Sequence, residues 1–419
     1  MPCNERRFKG KWLAALFCCG LLGVHVALPQ FAGADEWAQW RGPNRDGISQ
    51  ETGLLKNWPE DGPSELWRVD LGEGYSGVSI VGGRIYTMSG EGPDEFAVCL
   101  NAADGSEIWR FRSDSNYIND QGGGPRSTPT VDGDLVYVLS AKGKLYALEV
   151  ESGEKVWKRD LRKYFGSHIP DYGFSTSALV EGDMLLVEVG GEAAGQSIAA
   201  FDKGSGALLW TSHTDGAGYS SPIVINALGV RQVVFLTSGN LISVAPEDGQ
   251  VYWKYPWTQT EGIATPIFLP EDRIFISSSY DKGAALLKMT ATDERLGIEE
   301  VWKSRVMKNH FNSSVLYGGY LYGFDNAILK CVAADTGEEQ WKWRGFGRGS
   351  LIFGDGHLIV LGDEGKLALV EATPAAYVEK ARVQILQGRC WVAPTLAGGR
   401  LYVRDDKEMV CLDMTEPGI

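Results

Sequence analysis

A tryptophan follows a turn glycine by four residues at five places: Gly105 to Trp109, Gly153 to Trp157, Gly206 to Trp210, Gly249 to Trp253 and Gly337 to Trp341. A sixth pair, Gly297 to Trp302, is one residue longer. The units recur about every forty to fifty residues, and self-similarity at that period marks a propeller blade or a solenoid coil. Each unit has the same internal order. Ser127-Thr128-Pro129 leads into short alternating runs at 131–138 and 144–148, broken by Asp132-Gly133 and Gly143, then the Ser152-Gly153 turn and Lys155-Val156-Trp157. Alternating runs separated by Asp-Gly and Gly-Lys turns read as four antiparallel strands, so one unit is one four-stranded blade.

The order recurs from Tyr75, Ser127, Phe174, Tyr219, Ile263, Phe311 and Ser350, the last ending near Val383 in place of a tryptophan. An eighth unit begins at Trp391 and runs out after 409–413, before a fourth strand. The missing strand has its counterpart at 65–71, where Trp67 sits in the closing position. Pairing the two ends closes a ring and removes the edge between first and last blades. The sequence therefore predicts an all-β, eight-bladed propeller over residues 64–414. Fifty-three glycines fit a chain with many turns at positive φ. Trp67, Trp109, Trp157, Trp210, Trp253, Trp302 and Trp341 are expected to pack between blades, each indole N–H reaching a main-chain carbonyl. Trp257 and Trp391 lie off the repeat position and are the ones free to serve as platforms for a flat ligand.

The N-terminus reads as a targeting segment. Arg6, Arg7, Lys9 and Lys11 precede an apolar stretch over 12–28, and Ala32-Gly33-Ala34 offers a small-x-small cleavage pattern, which predicts a signal peptide over 1–34 and a periplasmic or secreted product. Leu16-Phe17 before Cys18 lacks the small residues of a lipid-attachment signal. Beyond residue 34 there remain 36 Lys and Arg against 53 Asp and Glu, a formal charge of about −17. Such a surface repels nucleic acid and anionic lipid. No membrane span is expected after cleavage, and the ring is expected to be a monomer.

Four cysteines lie beyond residue 34. Cys99, Cys331 and Cys411 hold equivalent blade positions and read as buried small hydrophobes, whereas Cys390 shares the split blade with Cys411 and is its one plausible mate. His168, His213, His310 and His357 fall in different blades without metal-ligand spacing. No metal site is expected, and no hydrolase elbow or zinc-protease helix is present.

The segment Ala333-Ala334-Asp335-Thr336-Gly337-Glu338-Glu339-Gln340-Trp341 resembles the tryptophan-docking motif of pyrroloquinoline quinone (PQQ)-like propellers. Two groups share it: quinoprotein alcohol dehydrogenases, and BamB, the accessory lipoprotein of outer-membrane barrel assembly. The first resemblance implies a quinone clamped between a tryptophan and a disulfide of adjacent cysteines, calcium held by Glu, Asn and Asp, and an Asp base. Residues 35–419 contain no adjacent cysteines and no Cys-x-x-Cys-His haem site, and no residue matches that catalytic set. The second implies only a rigid ring that binds other proteins through its loops or edges. The expectation is a non-catalytic, BamB-like binding or scaffolding protein without a cofactor. A diverged dehydrogenase using PQQ with calcium is the alternative.

Two irregular regions carry the candidate ligand residues. In the extension over 35–63, Trp37-Ala38-Gln39-Trp40-Arg41-Gly42-Pro43-Asn44-Arg45-Asp46-Gly47 is similar to a leader found before other secreted PQQ-like propellers. It reads either as a plug, its tryptophans packed on the ring and Arg41 or Arg45 paired to acidic groups, or as a channel-mouth site in which Arg41, Asn44, Arg45 and Asp46 hold an anionic or sugar-like ligand. The long connections at 117–126 and 163–172 place Asn119, Asp120, Arg126 and His168 on one ring face, where loops carry function more often than strands do. The partner is then a protein or a small polar ligand at that face.

Overall fold

The structure, a computed structural model, describes residues 36–191, 195–258, 262–292 and 295–416. The predicted signal peptide lies outside the described residues. Eight four-stranded antiparallel sheets follow one another around a ring. Seven are continuous in sequence, spanning 79–115, 130–160, 179–212, 223–256, 267–304, 315–343 and 350–384. In the eighth, Thr395–Ala397, Arg400–Arg404 and Glu408–Asp413 are completed by Glu65–Asp70, with Trp67 opposite Cys411 and Val69 opposite Met409. The predicted closure is thus realised in register. The only helix among the described residues is one turn, Leu161–Phe165, capped by Asp160 and by Gly166, inside what reads in sequence as an irregular loop.

The alternation within strands explains the layers. Each third strand is almost wholly buried, as in Lys144–Glu149, because both its faces pack on neighbouring blades, while outer strands such as Lys155–Asp160 bury the tryptophan and expose the residues beside it. The core is a set of clusters at the seams between neighbouring sheets; one of them joins the first, seventh and eighth blades. Cys99, Cys331, Cys390 and Cys411 are buried free thiols. Burial pushes Cys99 and Cys331 up to about 12 and Cys411 to about 11, so they sit as small apolar groups.

Six of the seven indoles donate to a carbonyl of the next blade: Trp67 to Ala102, Trp109 to Val150, Trp157 to Lys203, Trp210 to Pro246, Trp302 to Ala334 and Trp341 to Thr373, at 2.7–3.1 Å. Trp253 differs. Its N–H goes to the side-chain oxygen of Gln232 in its own sheet at 2.9 Å, an acceptor it shares with the Ser243 hydroxyl at 2.7 Å. The turn glycines are explained by the same seams. Gly249 has φ +73°, and a Cβ there would lie 2.4 Å from the ring of Trp210 in the preceding blade. Gly249→Ala is expected to cost about 2–3 kcal/mol of stability in urea melts, combining left-handed strain with a displaced indole; a loss below about 0.5 kcal/mol would show that the seam yields.

A second belt runs closer to the axis, where Ser, Thr and Asn side chains at the start of each first strand bond to the neighbouring blade. Ser76 donates to Ser127, Ser127 to Thr176, Ser220 to Ala264, Ser350 to Val392 and Thr395 to Val78. The Ser177 and Thr265 amides donate to Ser221 and Ser313 hydroxyls, and Asn312 donates to the Gly349 carbonyl. All eight seams are therefore bridged. Buried Arg404 reinforces the eighth, donating to the carbonyls of Gly74, Ser76 and Met88 in and before the first blade.

A corked axial channel and its binding chamber

First strands expose carbonyls toward the axis as they begin, and the segment before the first blade satisfies many of them. Trp37 exchanges two 2.9 Å hydrogen bonds with Ile80 of the first blade, and Ala38 accepts from Val131 of the second. Arg45 donates to Ser177, Ala178 and Pro222, joining the third and fourth blades. Trp40 donates to Thr265 before the fifth sheet at 2.9 Å, and Arg41 to Ser313 and Ser314 before the sixth. Gly47 and Ser49 bond to Phe353 in the seventh, and Glu51 accepts from Gly399 in the eighth. Residues 37–51 thus touch every blade and form the plug of the two arrangements the sequence allows.

The charge partners differ from expectation. Arg41 and Arg45 are each only 3 % exposed and bond to main-chain carbonyls rather than to acidic groups, because the ring's axis presents carbonyls, not carboxylates. Both hold left-handed backbones, φ 61° and 58°, a strain that a β-carbon-bearing residue adopts only when surroundings enforce it. Burial lowers Arg45 to about 9 and Arg41 to about 10, so both remain cationic at neutral pH. Asn44 is exposed, and the half-buried Asp46 carboxylate accepts from the Ile48 amide. The donors of Arg41 and Arg45 are thus spent on the ring and on the plug itself, except Arg41 Nε, which is buried without a partner.

Beside the plug the channel widens into a chamber of about 230 Å³. Its wall takes residues from the positions that open successive blades, Tyr75, Arg126, Ser175, Tyr219, Ile263, Phe311, Arg348 and Trp391 among them. Trp40 of the plug lines it too, held by its bond to Thr265. Trp391 packs beside Tyr75 and Phe311, at centroid distances of 5.3 and 4.9 Å with planes tilted by 31° and 33°, and His310 continues the row against Phe311. Tyr172 and Tyr219 pair elsewhere on the wall at 5.6 Å. Arg126 lies over the rings of Tyr75 and Tyr117 and donates to the Gly122 and Gly124 carbonyls, which fixes the glycine loop around it. Burial and the nearby Arg348 charge push His310 down to about 4, so it is neutral; Nε2 meets the Tyr280 hydroxyl and Nδ1 is buried without a partner.

Of the candidate ligand residues singled out in sequence, Arg126 alone enters this wall, together with the platform candidate Trp391. Trp257 is fully buried and bonds to Ser278. Asn119 ties its loop to the Asp171 carbonyl at 2.8 Å, joining the two long connections, while Asp120 and His168 are exposed outside the chamber. Tyr75, Tyr219 and Phe311 were visible as the first residues of their blades, a shared register that marks a common axial height. His310 and Arg348 carry no such signal.

A quinone with calcium fits this chamber poorly. Its lining contributes no carboxylate to hold a divalent ion or to act as base, and no cysteine to cover a ring. No cluster of three His, Cys, Asp or Glu suited to a metal occurs among the described residues.

These features define an eight-bladed propeller with a corked axis and a blind cationic, aromatic chamber. The chain belongs to the family described as outer membrane protein assembly factor BamB, whose match spans residues 56–166, 121–343 and 325–416. It is 23 % identical over 339 residues to BamB of Shewanella oneidensis, covering 73 % of this chain and 77 % of that one. The crystal structure of BamB from Moraxella catarrhalis superposes with a TM-score of 0.60 at 17 % identity, covering 85 % of this chain and 99 % of that one. Quinohemoprotein alcohol dehydrogenase from Comamonas testosteroni shares the fold, with TM-score 0.66, 11 % identity, and 93 % and 82 % of the two chains.

Proposed function

We propose that this protein is a non-catalytic scaffold exported by its 1–34 segment, a BamB-like ring that holds protein partners during outer-membrane protein assembly. One observation carries the reading. The outermost strand of each blade pairs on one side only, and on five of them the residue before the docking tryptophan is a large apolar side chain, 42–50 % exposed: Leu66, Ile108, Val156, Leu209 and Val301. Open edges flanked by apolar side chains suit a partner that adds an extended strand, main-chain bonds supplying affinity and the side chains register. The ring itself, bridged at every seam, presents those edges rigidly.

Photo-crosslinkers placed at Ile108 and Val156 in cells are expected to capture the same envelope protein, and Lys at both positions is expected to weaken that capture about tenfold. Capture that is equal from Asp120, exposed on the 117–126 connection, would refute the edge reading. Titration with PQQ and calcium separates the dehydrogenase alternative. Saturable quenching with dye-linked alcohol oxidation would make the protein an oxidoreductase and overturn the scaffold; absence of both at tens of micromolar leaves it standing.

A further inference from the structure

The chamber's charge runs against that of the molecule. The whole chain carries a formal −14, yet the lining holds two guanidiniums and no carboxylate. Arg126 makes its hydrogen bonds to neutral carbonyls, and the Arg348 guanidinium has no hydrogen bond or ion pair among the described residues. The neighbouring acids Asp363 and Asp406 accept from the main-chain amides of Arg348 and Arg389. A third guanidinium, Arg389, backs the wall 4.6 Å over Trp391. The buried Glu95, whose charge acts on Arg126, has its carboxyl pushed up to about 7 by burial, and surface carboxylates farther away act weakly, since the Debye length in physiological salt is only about 8 Å. Arg126, set against Tyr75 and Tyr117, and the exposed Arg348 in the same lining call for an anion, and bidentate arginine geometry favours a planar one.

Shape narrows the class. At about 230 Å³ the space is below the roughly 300–1,000 Å³ of pockets for drug-sized ligands, so it suits one ring. Trp391, Phe311 and Tyr75 offer faces for that ring, while Gln121, Ser175 and Ser221 place polar groups on the same wall. His310 adds a buried nitrogen without a partner. We propose that the chamber is a binding site for a small organic anion, a carboxylate borne on a single six-membered ring, with Arg348 holding the carboxylate, Arg126 adding positive charge to the wall and Trp391 stacking on the ring. The site stands apart from the outer edges, so it is independent of the scaffold reading.

Two sources present this chemistry, a sugar acid and an aromatic acid. Calorimetric titration of the full mature chain with sodium glucuronate and, separately, with sodium 4-hydroxybenzoate distinguishes them, with tryptophan fluorescence reporting Trp391. One of the two is expected to saturate below about 1 mM, and binding is expected to weaken about tenfold in Arg348→Gln and in Trp391→Leu. Arg344→Gln, an exposed arginine outside the lining, should leave it unchanged. Arg348→Gln removes no partner bond, so its fold is preserved and the result is readable. No saturation by either acid at about 10 mM, or equal affinity in Arg348→Gln, would overturn the proposal.

Discussion

Replacing Arg45 with alanine is expected to lower the free energy of unfolding by about 3–5 kcal/mol, a larger loss than any exposed charge substitution produces. The guanidinium supplies donors to three carbonyls, Ser177, Ala178 and Pro222, and its Nε donates to Gln39 at 2.8 Å. Deletion leaves those acceptors buried, and each unsatisfied group costs about 1–3 kcal/mol. Part of that is offset because a desolvated cation no longer has to be held in the ring's axis. Arg45→Lys should recover little, since one ammonium cannot reach three carbonyls on two blades. Arg45→Gly separates the terms: it relieves the φ 58° strain, of order 1 kcal/mol, while losing the same bonds, so it should lie slightly above alanine. Urea unfolding monitored by circular dichroism gives all three. If Arg45→Ala costs under about 1 kcal/mol, water replaces the guanidinium and the plug does not tie the blades together.

The plug also shows where sequence reading ends. The blades were legible because each announces itself twice, by alternation within strands and by a glycine that must fit beneath the previous blade's indole. Unit starts at Ser127 and Tyr219 fall only a few residues before the first strands at Thr130 and Ile223. The closure by Glu65–Asp70 was legible because a lone closing strand has nowhere else to pair. The leader stood out as the segment that breaks the repeat. Its bonds did not, because Arg41 and Arg45 are read against backbone carbonyls, and every residue has one of those. Arg126 and Trp391 were visible as irregularities, whereas Arg348 and His310 reach the chamber only through the geometry of the ring. Trp253 departs for a local reason, a buried Gln232 that no periodicity marks.

Glu188→Gln is expected to stabilise the protein in alkaline solution and to do almost nothing in acid. Glu188 lies on the strand Met184–Gly191, fully buried, with Oε1 accepting from the Gly218 amide at 2.7 Å and Oε2 without a partner. Burial, helped by the Asp215 charge, pushes its carboxyl up to about 8 from an ordinary 4.5. Its folded pKa is raised, so the favourable, protonated contribution is fully present below about 4.5 and is lost as pH rises toward 8. In that window the unfolded chain has released the proton while the folded one still holds it. Each pH unit therefore costs the wild type about 1.4 kcal/mol relative to a neutral amide, roughly 3–5 kcal/mol across the window. Glutamine keeps an acceptor for the Gly218 amide and titrates nowhere, so the difference between variant and wild type should be under about 1 kcal/mol at pH 5 and should climb to its plateau near pH 8. Against the upward push of burial, hydrogen bonds from Asn240, Thr237 and His213 hold Asp215 below its usual range, which keeps that charge present throughout and leaves the slope to Glu188. Paired urea melts from pH 5 to 9 measure the slope. A flat difference would mean that Glu188 is ionised in the folded ring and that water reaches its unpaired oxygen.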